Sequence, residues 1–575
     1  MQRPLLISLA AALALAACGG ERPAETGDGA PQADAAPAAD AHAFSPEINE
    51  TDFRELVKTL ASDEFEGRAP GSPGGEKTVE YIRAQYERLG LQPGGEDGGW
   101  YQTVPMVETT ADESTVLRLD SNGEARDLQF GTDMVIGTRT GETQVNIADS
   151  ELVFVGYGVD APEQDWNDYA GVDVEGKTVV ILVNDPGFHA GDDSLFEGNR
   201  MTYYGRWTYK YEEAARKGAA AALIIHDTEG ASYGWDVVRN SWSGAQFDLR
   251  AADDPEPRLP AQGWITGEVA RQLFADSGLD LDEMYEAANQ RGFEAVPLKA
   301  SMSVDLKSTV TEKSSRNVIG VLPGSERPDE AVIYMGHWDH LGVHERDDGT
   351  REIYNGAVDN ATGIAGIIEI AGRFAGEEPA PKRSLAFLAV TLEESGLLGS
   401  KYYVAHPTFP MEKTVAVVNL DAMSVAGPSR DFVVTGKGNS ELEDILETFA
   451  GEQQRVLVEE GNPAGGYYFR SDHFNFAKAG VPALYAKGGN DLVEGGTAAG
   501  KAATEDYASR YHQPGDVYRE EWNLAGVIQD LEALYGVGRV LADDVDRWPN
   551  WYEGNPFKAA RDRMMAGEPE TRNEE

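Results

Sequence analysis

The sequence has very few cysteines and few basic residues. Cys18 is the only cysteine among 575 residues, so the chain can form no disulfide within itself. Lys and Arg total 49 against 98 Asp and Glu, which gives a formal net charge of −49. Because so acidic a surface repels the phosphate backbone, we expect no nucleic-acid partner.

Long apolar runs are also missing, except near the N-terminus. The exception, Leu5–Ala17, follows Arg3 and is too short to span a bilayer as a mature helix, which is typical of a signal peptide. No later segment is long and apolar enough to be predicted as membrane-spanning. Any membrane contact is therefore expected to come from an anchor rather than from a span.

The apolar stretch ends in Leu15-Ala16-Ala17-Cys18, which resembles the lipobox of bacterial lipoproteins. The resemblance implies cleavage before Cys18 and acylation of its thiol, which leaves no cysteine for catalysis or zinc binding. The alternative is an ordinary signal peptide with a chance cysteine. We expect export to the periplasmic or cell-surface face of a bacterial membrane, the outer membrane in particular, with acylated Cys18 as the anchor.

Composition and patterning divide the chain into segments. Residues 19–43 are rich in Ala, Pro, Gly and acidic residues without apolar periodicity, which predicts a flexible tether. The other predicted segments are a lipoprotein signal (1–18), a first part of the main domain (44–107) with a helix over Glu76–Leu89, a β-rich insertion (108–307), a second part of the main domain (308–554) and a frayed polar tail (555–575).

The segment 308–554 repeats the order strand, loop and helix. Ala331–Met335, Leu385–Val390 and Val415–Leu420 are uniformly apolar, as expected for strands that are buried on both faces of a central sheet. Apolar residues from Ile364 to Phe374 recur at helical spacing. We predict an α/β fold in which helices sandwich a mixed central sheet.

Polar residues cluster directly after these strands. His337-Trp338-Asp339-His340 follows the first, Glu393-Glu394 the second, and Asp421 lies at the end of the third. A later loop delivers Tyr511-His512. Because ligands bind beyond the carboxyl ends of the strands in open α/β sheets, these side chains are expected to converge on one site.

Carboxylates and imidazoles gathered in this way repel one another unless a cation neutralises them. Mixed nitrogen and oxygen ligands suit zinc best, although manganese or cobalt would also fit. Two histidines and three carboxylates are too many for one tetrahedral zinc, but they suit two ions that share a bridging carboxylate. The sequence has no His-Glu-x-x-His motif, so a metalloprotease of that type is excluded.

At these residues the chain is similar to the co-catalytic dizinc exopeptidase family, which includes bacterial leucyl aminopeptidases, glutamate carboxypeptidase II and the transferrin-receptor ectodomain. The similarity extends N-terminally through residues 61–75, and the insertion resembles the protease-associated domain of secreted peptidases. The matching segments are GHWDHLG (336–342), NGAVDNATG (355–363), LEESGLLGS (392–400), NLDAM (419–423), FRSDHFNFAKAGVPAL (469–484) and YHQPGD (511–516).

The resemblance implies two Zn2+ ions per chain. One would be held by His337, Asp421 and a bridging Asp359, and the other by Asp359, Glu394 and His512. In the family the bridging aspartate commonly precedes a cis peptide, which makes Asp359–Asn360 a candidate non-proline cis bond.

The resemblance also implies roles for residues around the ions. Glu393 would be the general base, and Asp339 would orient the imidazole of His337, as Asp516 would for His512. Tyr511 would hydrogen-bond the developing oxyanion, with help from Arg470.

Simpler interpretations exist for several of these residues. His337 and His512 are alternatively core histidines, Glu393-Glu394 a solvated pair, and Asp359 an N-cap. The remaining histidines are expected to be structural or peripheral (His340, His344, His473) or incidental (His189, His226). The aromatic residues Tyr203, Tyr204, Trp207 and Tyr209 are expected to pack the insertion's core, the alternative being that they line a substrate path beneath a lid.

The function predicted first is a metallopeptidase that acts as an aminopeptidase on peptide substrates. A carboxypeptidase or dipeptidase would use the same ions and base, and would differ in whether the pocket binds the substrate terminus with an anionic or a cationic group. A different class, a metal-free binding protein like the transferrin receptor, is disfavoured because all five ligands and Glu393 are present. No pattern in the sequence indicates an oligomeric state.

Overall fold

The computed structural model describes residues 42–254, 256–346 and 348–567. The predicted signal, the lipobox with Cys18, most of the tether and the last part of the tail lie outside the described residues. The chain divides into the units Met1–Ala43 and Phe44–Glu575, and every helix and strand given below belongs to the second. No helix of the described part has the length and apolar character needed to cross a membrane.

Helices occur throughout the second unit. In chain order they are α1 (Glu50–Leu60), α2 (Pro73–Arg88), α3 (Trp207–Arg216), α4 (Thr228–Ala231), α5 (Trp235–Trp242), α6 (Gly267–Asp276), α7 (Leu281–Ala288), α8 (Thr362–Ala375), α9 (Leu398–Ala405), α10 (Leu442–Glu452), α11 (His473–Lys478), α12 (Gly496–Ala508), α13 (Ala525–Asp543) and α14 (Lys558–Ala566).

The strands fall mainly into two large groups. In chain order they are β1 (Gln92–Pro93), β2 (Tyr101–Ala111), β3 (Val116–Ser121), β4 (Glu124–Gln129), β5 (Met134–Gly137), β6 (Gln144–Phe154), β7 (Asp160–Ala161), β8 (Trp166–Asn167), β9 (Thr178–Leu182), β10 (Ala221–Ile225), β11 (Ala245–Leu249), β12 (Ala261–Ile265), β13 (Val296–Leu322), β14 (Arg327–His337), β15 (Gly342–Glu345), β16 (Arg351–Tyr354), β17 (Arg383–Val390), β18 (Thr414–Asn419), β19 (Asp431–Val434), β20 (Val456–Glu459) and β21 (Ala483–Gly488).

The central sheet has the order β11-β2-β13-β17-β14-β18-β21-β19-β20. Strands β17, β14, β18 and β21 run parallel to one another, whereas β13 and β19 are antiparallel to their neighbours β17 and β21. Helices α1, α2, α8 and α13 contribute buried apolar residues to the core that covers this sheet. The predicted mixed α/β fold is confirmed.

The parallel strands form around apolar runs, such as Leu385–Val390 in β17 and Val415–Val418 in β18. All eight residues of β17 and all six of β18 are buried, as expected for strands covered on both faces. The predicted helix Glu76–Leu89 corresponds to α2, which begins at Pro73. Its start is fixed by the Ser72 hydroxyl, which accepts a hydrogen bond from the Gly75 N–H at 3.1 Å.

A second sheet lies within the segment predicted as a β-rich insertion. Its order is β4-β3-β13-β6-β9-β10-β12-β5, with β9, β10 and β12 parallel. It has its own hydrophobic cores, to which helices α3, α5 and α6 contribute. Strand β13 belongs to both sheets, so the sequence boundary at residue 307 falls inside a continuous strand.

The predicted polar tail differs from the structure in its first part. Residues Lys558–Ala566 form helix α14 rather than a frayed end. Arg561 anchors the helix, because its buried guanidinium donates to the carbonyls of Thr414 and Val415 at 3.2 and 3.0 Å. A segment predicted to be frayed is thus held in place through a buried arginine.

Candidate metal centre

Three neighbouring parallel strands deliver the first group of polar side chains. Strand β14 lies between β17 and β18, and its last residue, His337, is in register with Val390 at the end of β17. Glu393 and Glu394 follow β17, and Asp421 follows β18. The carboxyl ends of the strands therefore meet at one edge of the sheet, as the sequence predicts.

The carboxylate of Asp359 lies between two imidazoles. His337 Nε2 is 3.2 Å from Asp359 Oδ1, and His512 Nε2 is 3.3 Å from Asp359 Oδ2. Each histidine also faces a second carboxylate, His337 at 3.5 Å from Asp421 Oδ1 and His512 at 3.0 Å from Glu394 Oε2. The five predicted ligands are thus together, with the predicted bridging residue in the middle.

The donor set fits divalent ions with mixed nitrogen and oxygen ligands. Ligand atoms of His337, Asp359 and Asp421 all lie within 4.8 Å of one another, and the same holds for His340, Asp359 and Glu394. Nitrogen and carboxylate donors grouped in this way suit zinc. Overlap of the two groups at Asp359 allows two ions to share one carboxylate.

Charges inside the cluster shift the pKa values strongly. Burial lowers the pKa of His337, but Glu393, Asp359 and Asp421 outweigh it and hold this pKa well above its usual range. His512 behaves in the same way, since hydrogen bonds with Asp359 and Glu394 raise its pKa to about 10 against the effect of burial. Without metal, the histidines therefore carry protons that partly neutralise the carboxylates.

Glu393 differs from the other carboxyl groups of the site. Burial raises its pKa well above the usual range; His337 opposes this shift, and the negative charges of Glu394 and Asp421 add to it. Asp359, in contrast, has a pKa well below the usual range, because its bonds to His337 and His512 outweigh its burial. Neighbouring carboxyl groups are thus set for different protonation states.

The backbone around Asp359 is fixed from several directions. The Asp359–Asn360 peptide bond is cis, as the resemblance implies. Asn360 links this loop to the loop of Asp421, since its Nδ2 donates to the Leu420 carbonyl at 3.0 Å and its Oδ1 accepts from the Ala422 N–H at 3.2 Å. The two carboxylates that face His337 are therefore tied together through one amide side chain.

Asp516 does not act as predicted. Its carboxylate accepts hydrogen bonds from the N–H groups of Val358 and Asp359, both at 3.1 Å, and from Arg510 Nη1 at 3.0 Å. It therefore orients the backbone of the central aspartate instead of the imidazole of His512. The sequence misled here because Asp516 is close to His512 along the chain but folds back under another loop.

Asp339 lies next to His337, and its main-chain oxygen is closer to the imidazole than its carboxylate. His337 Nδ1 is 3.1 Å from the Asp339 carbonyl oxygen and 3.9 Å from Oδ1. Donation from Nδ1 to this carbonyl leaves Nε2 as the nitrogen that can bind a metal once its proton is lost. The carboxylate accepts instead from the Glu393 N–H at 3.2 Å.

Two residues of the cluster were missed in the sequence. His340, predicted to be structural or peripheral, has Nδ1 at 2.5 Å from Glu394 Oε1 and is buried. The Ser471 hydroxyl donates to Asp421 Oδ2 at 2.6 Å. The only sequence clue that these residues belong to the cluster is their position. His340 shares the loop of His337, and Ser471 precedes an aspartate in a motif that matches the family.

Tyr511 and Arg470 are placed differently from one another. The Tyr511 ring stacks on His512 with centroids 3.9 Å apart, and it is 49% exposed, so it borders the cluster on the solvent side. Arg470 forms no hydrogen bond or ion pair with the cluster in the described part of the chain. Its guanidinium lies 5.3 Å from the Tyr467 ring centre and lines a cavity of about 190 Å³ together with Arg206.

The other histidines lie outside these contacts. His473 is buried, with Nδ1 at 3.3 Å from Asn419 Nδ2, and burial lowers its pKa to about 3. His344 contacts the Leu341 carbonyl on the exposed β15–β16 hairpin. In the insertion, His189 pairs with Asp227 at 2.8 Å, and His226 contacts the Tyr233 carbonyl at 3.0 Å.

The aromatic residues of the insertion pack together. Ring centroids of Tyr203 and Tyr204 lie 4.9 and 5.1 Å from that of Tyr209, and Trp207 lies 5.9 Å from Tyr211. Tyr203 also contacts Phe474 of the main domain at 5.4 Å. This supports the packing interpretation, with the addition that the aromatic cluster joins the insertion to the main domain.

Two short patterns in the insertion match motifs of other enzyme classes without their structural context. Residues 230–234 read Gly-x-Ser-x-Gly, but Ser232 follows helix α4 rather than sitting between a strand and a helix. Residues 171–178 read Gly-x-x-x-x-Gly-Lys-Thr, but they lead into strand β9 and open no helix. Neither segment forms the site that its pattern names.

The segment that carries the candidate ligands resembles known peptidases. The sequence model of Peptidase family M28 matches residues 317–535. This segment contains all five candidate ligands, and over it the resemblance to a peptidase family predicted from the motifs is confirmed.

Individual relatives match over part of their length. The chain is 32% identical over 139 residues to Aminopeptidase NAALADL1 of Mus musculus, which is 23% of this chain and 17% of that protein. It is 24% identical over 315 residues to Carboxypeptidase Q of Xenopus laevis, 54% of each. The chain thus spans about half or less of these relatives' lengths. A solved aminopeptidase from Aneurinibacillus sp. strain AM-1 aligns with a TM-score of 0.46 and 21% identity, over 86% of this chain and 94% of that one.

Proposed function

We propose that the chain is a zinc-dependent exopeptidase of Peptidase family M28, an aminopeptidase that uses two Zn2+ ions. The observation that carries this proposal is the carboxylate of Asp359, which has one oxygen directed at His337 and the other at His512. Asp421 and Glu394 complete the two ends of the cluster. A central carboxylate between two sets of ligands is what a pair of ions requires.

The ions, when bound, would polarise the scissile carbonyl and a water molecule. His337, Asp359 and Asp421 would hold one ion, and Asp359, Glu394 and His512 the other. Glu393 would take a proton from the attacking water and pass it to the leaving amine. The phenol of Tyr511 would donate a hydrogen bond to the developing oxyanion.

A second candidate is a carboxypeptidase or dipeptidase with the same ions. It is favoured by Arg206 and Arg470, which lack an ion pair or side-chain hydrogen bond within the described residues although acidic residues far outnumber basic ones. Burial and the neighbouring Arg470 lower the pKa of Arg206 to about 10, so the Arg206 guanidinium stays cationic at neutral pH. A carboxylate of a peptide would neutralise this pair.

A peptide panel distinguishes the two candidates. An aminopeptidase hydrolyses peptides with a free N-terminus, even when the C-terminus is amidated, and a chelator abolishes the reaction. Hydrolysis confined to N-blocked peptides with a free C-terminus would reject the aminopeptidase and support the second candidate. No hydrolysis of any peptide by the zinc-loaded protein would reject both.

We further propose the predicted export and anchoring, in which acylated Cys18 holds the protein at the outer surface of a bacterial membrane and the insertion is a protease-associated domain. The lipobox residues Leu15-Ala16-Ala17-Cys18 support the anchor. Expression of Cys18→Ala beside the wild type tests it. The variant is expected in the non-membrane fraction, and equal membrane retention of both would contradict the anchor.

A further inference from the structure

Arg68 is a buried cation with main-chain partners. Its side chain is 1% exposed, and among described residues no carboxylate forms an ion pair with it. Its guanidinium instead donates to four carbonyl oxygens, those of Trp338 (2.9 Å), Leu60 (2.9 Å), Asn355 (2.6 Å) and Gly356 (2.8 Å). A planar guanidinium that donates four hydrogen bonds is a rigid connection.

Three of the four acceptors of Arg68 belong to the two loops that carry the central ligands, and the fourth, Leu60, ends helix α1. Trp338 directly follows His337, whereas Asn355 and Gly356 precede Asp359 in the next loop. The same guanidinium therefore bonds one loop through Nε and the other through Nη1 and Nη2. It connects the segments whose side chains, His337 and Asp359, face each other at 3.2 Å.

The segment around Arg68 is shaped to reach this position. Gly67 has a φ of 62°, and a Cβ there would lie 2.4 Å from the Tyr354 carbonyl oxygen, so only glycine allows this close approach. Asp63 accepts a hydrogen bond from Asn355 Nδ2 at 2.8 Å. The motif over residues 61–75, which the proposed mechanism does not use, thus forms the support beneath the loop that leads to Asp359.

Arg68 also contributes charge. Burial lowers its pKa to about 10, while the carboxylates of Asp359, Asp516, Asp339 and Glu394 oppose that effect, so it remains cationic at neutral pH. A permanent positive charge under a group of acids reduces their mutual repulsion before any ion binds.

We propose that Arg68 is a positioning residue of the metal centre, which sets the spacing between the loops of His337 and Asp359 and thereby the affinity for metal. This inference rests on the metal centre of the proposed function, and it is independent of which end of the peptide is cleaved. Lysine in its place keeps the charge but has one ammonium group, which cannot bond carbonyls on both loops in a planar fork.

The test is a zinc titration of chelator-treated protein, with Arg68→Lys compared with the wild type. Groups that orient metal ligands typically change metal affinity by about 10–100-fold, and we expect a loss of this size. Circular dichroism and melting temperature establish that each protein is folded. If Arg68→Lys does not fold, Arg68→Gln replaces it in the same titration with the same expectation.

Arg561→Lys is the matched control. Arg561 is equally buried, burial also lowers its pKa to about 10, and it also donates to carbonyls, but these lie at Thr414 and Val415, at the end of β18 opposite Asp421. We expect a lower melting temperature with zinc affinity within about twofold of the wild type.

The outcomes separate this inference from the proposed function. Unchanged affinity in the Arg68 variants, or an equal loss in Arg561→Lys, would overturn the role of Arg68 while leaving the metal centre intact. A wild-type protein that binds no zinc would overturn the proposed function, and the role of Arg68 would fall with it.

Discussion

The carboxyl group of Glu393 is the single group on which the proposed chemistry depends. We expect Glu393→Gln to retain its zinc and to lose activity by about 10³-fold, because the amide cannot accept the proton of the attacking water. Activity and metal content are measured on the same preparation, with exposed Glu345→Gln as the control. Wild-type turnover in Glu393→Gln would remove this residue from the mechanism.

The histidines of the cluster make metal binding dependent on pH. At pH 7 the metal-free protein carries protons on His337 and His512, since both pKa values are raised, that of His512 to about 10. Both protons must leave before the nitrogens bind a metal, so zinc affinity is expected to rise from pH 6 to pH 9. Calorimetric titration in buffers of different ionisation enthalpy measures the released protons, and an enthalpy independent of the buffer would contradict this expectation.

Helices α1 and α8 meet at a buried carboxyl group. Glu369 of α8 accepts from the Asn49 N–H at 3.0 Å, and burial raises its pKa to about 8. The pKa of Glu369 in the folded state lies above its value in the unfolded state. The contribution of this group to the free energy of unfolding is therefore fully present below about pH 4.5 and is lost as the pH rises through about 8.

The substitution Glu369→Gln removes the loss of stability that ionisation of Glu369 causes at high pH. The melting temperature of the variant is expected to exceed that of the wild type by about 1–3 °C at pH 9, with the difference vanishing near pH 4.5. Calorimetric scans at both pH values measure it, and exposed Glu447→Gln on α10 is the control. An equal shift at both pH values would mean that ionisation is not the cause.

At the same scale, local patterns predicted the elements that bear the ligands. Strand β17 was found because six consecutive apolar residues, Leu385–Val390, leave no exposed face, and Glu393-Glu394 because charges follow it closely. Helix α14 was missed because its order depends on a bond from Arg561 to residue 414, 147 positions away. His340 was missed because its partner, Glu394, lies 54 positions away in the chain.

For the whole molecule, the ions are expected to contribute to stability. Their removal leaves several carboxylates close together, and any ligand that binds only the folded state stabilises it by mass action. Chelation should therefore lower the melting temperature by several degrees, and added zinc should restore it. Calcium, which prefers oxygen ligands, should not. A melting temperature unaffected by chelator would argue against a bound metal.

Sequence patterns predicted the ligand-bearing elements better than they predicted how the two sheets are joined. Short β-like runs in residues 108–307, such as Thr178–Val183, indicated a β-rich insertion, and the boundary was placed at 307, where the character of the sequence changes. The backbone continues straight through that point as β13, pairing with β6 before it and with β2 after it. No residue near 307 carries a signal for this, because the continuity is a property of pairing partners far away in the chain.

Strand β13 also has a mechanical consequence. Its 27 residues run through both sheets without a break, so no loop separates the insertion from the main domain along this strand. This continuity favours an insertion that stays fixed relative to the main domain over one that moves about a hinge. If the insertion limits the length of peptide substrates, that limit would be the same in the free and the substrate-bound protein.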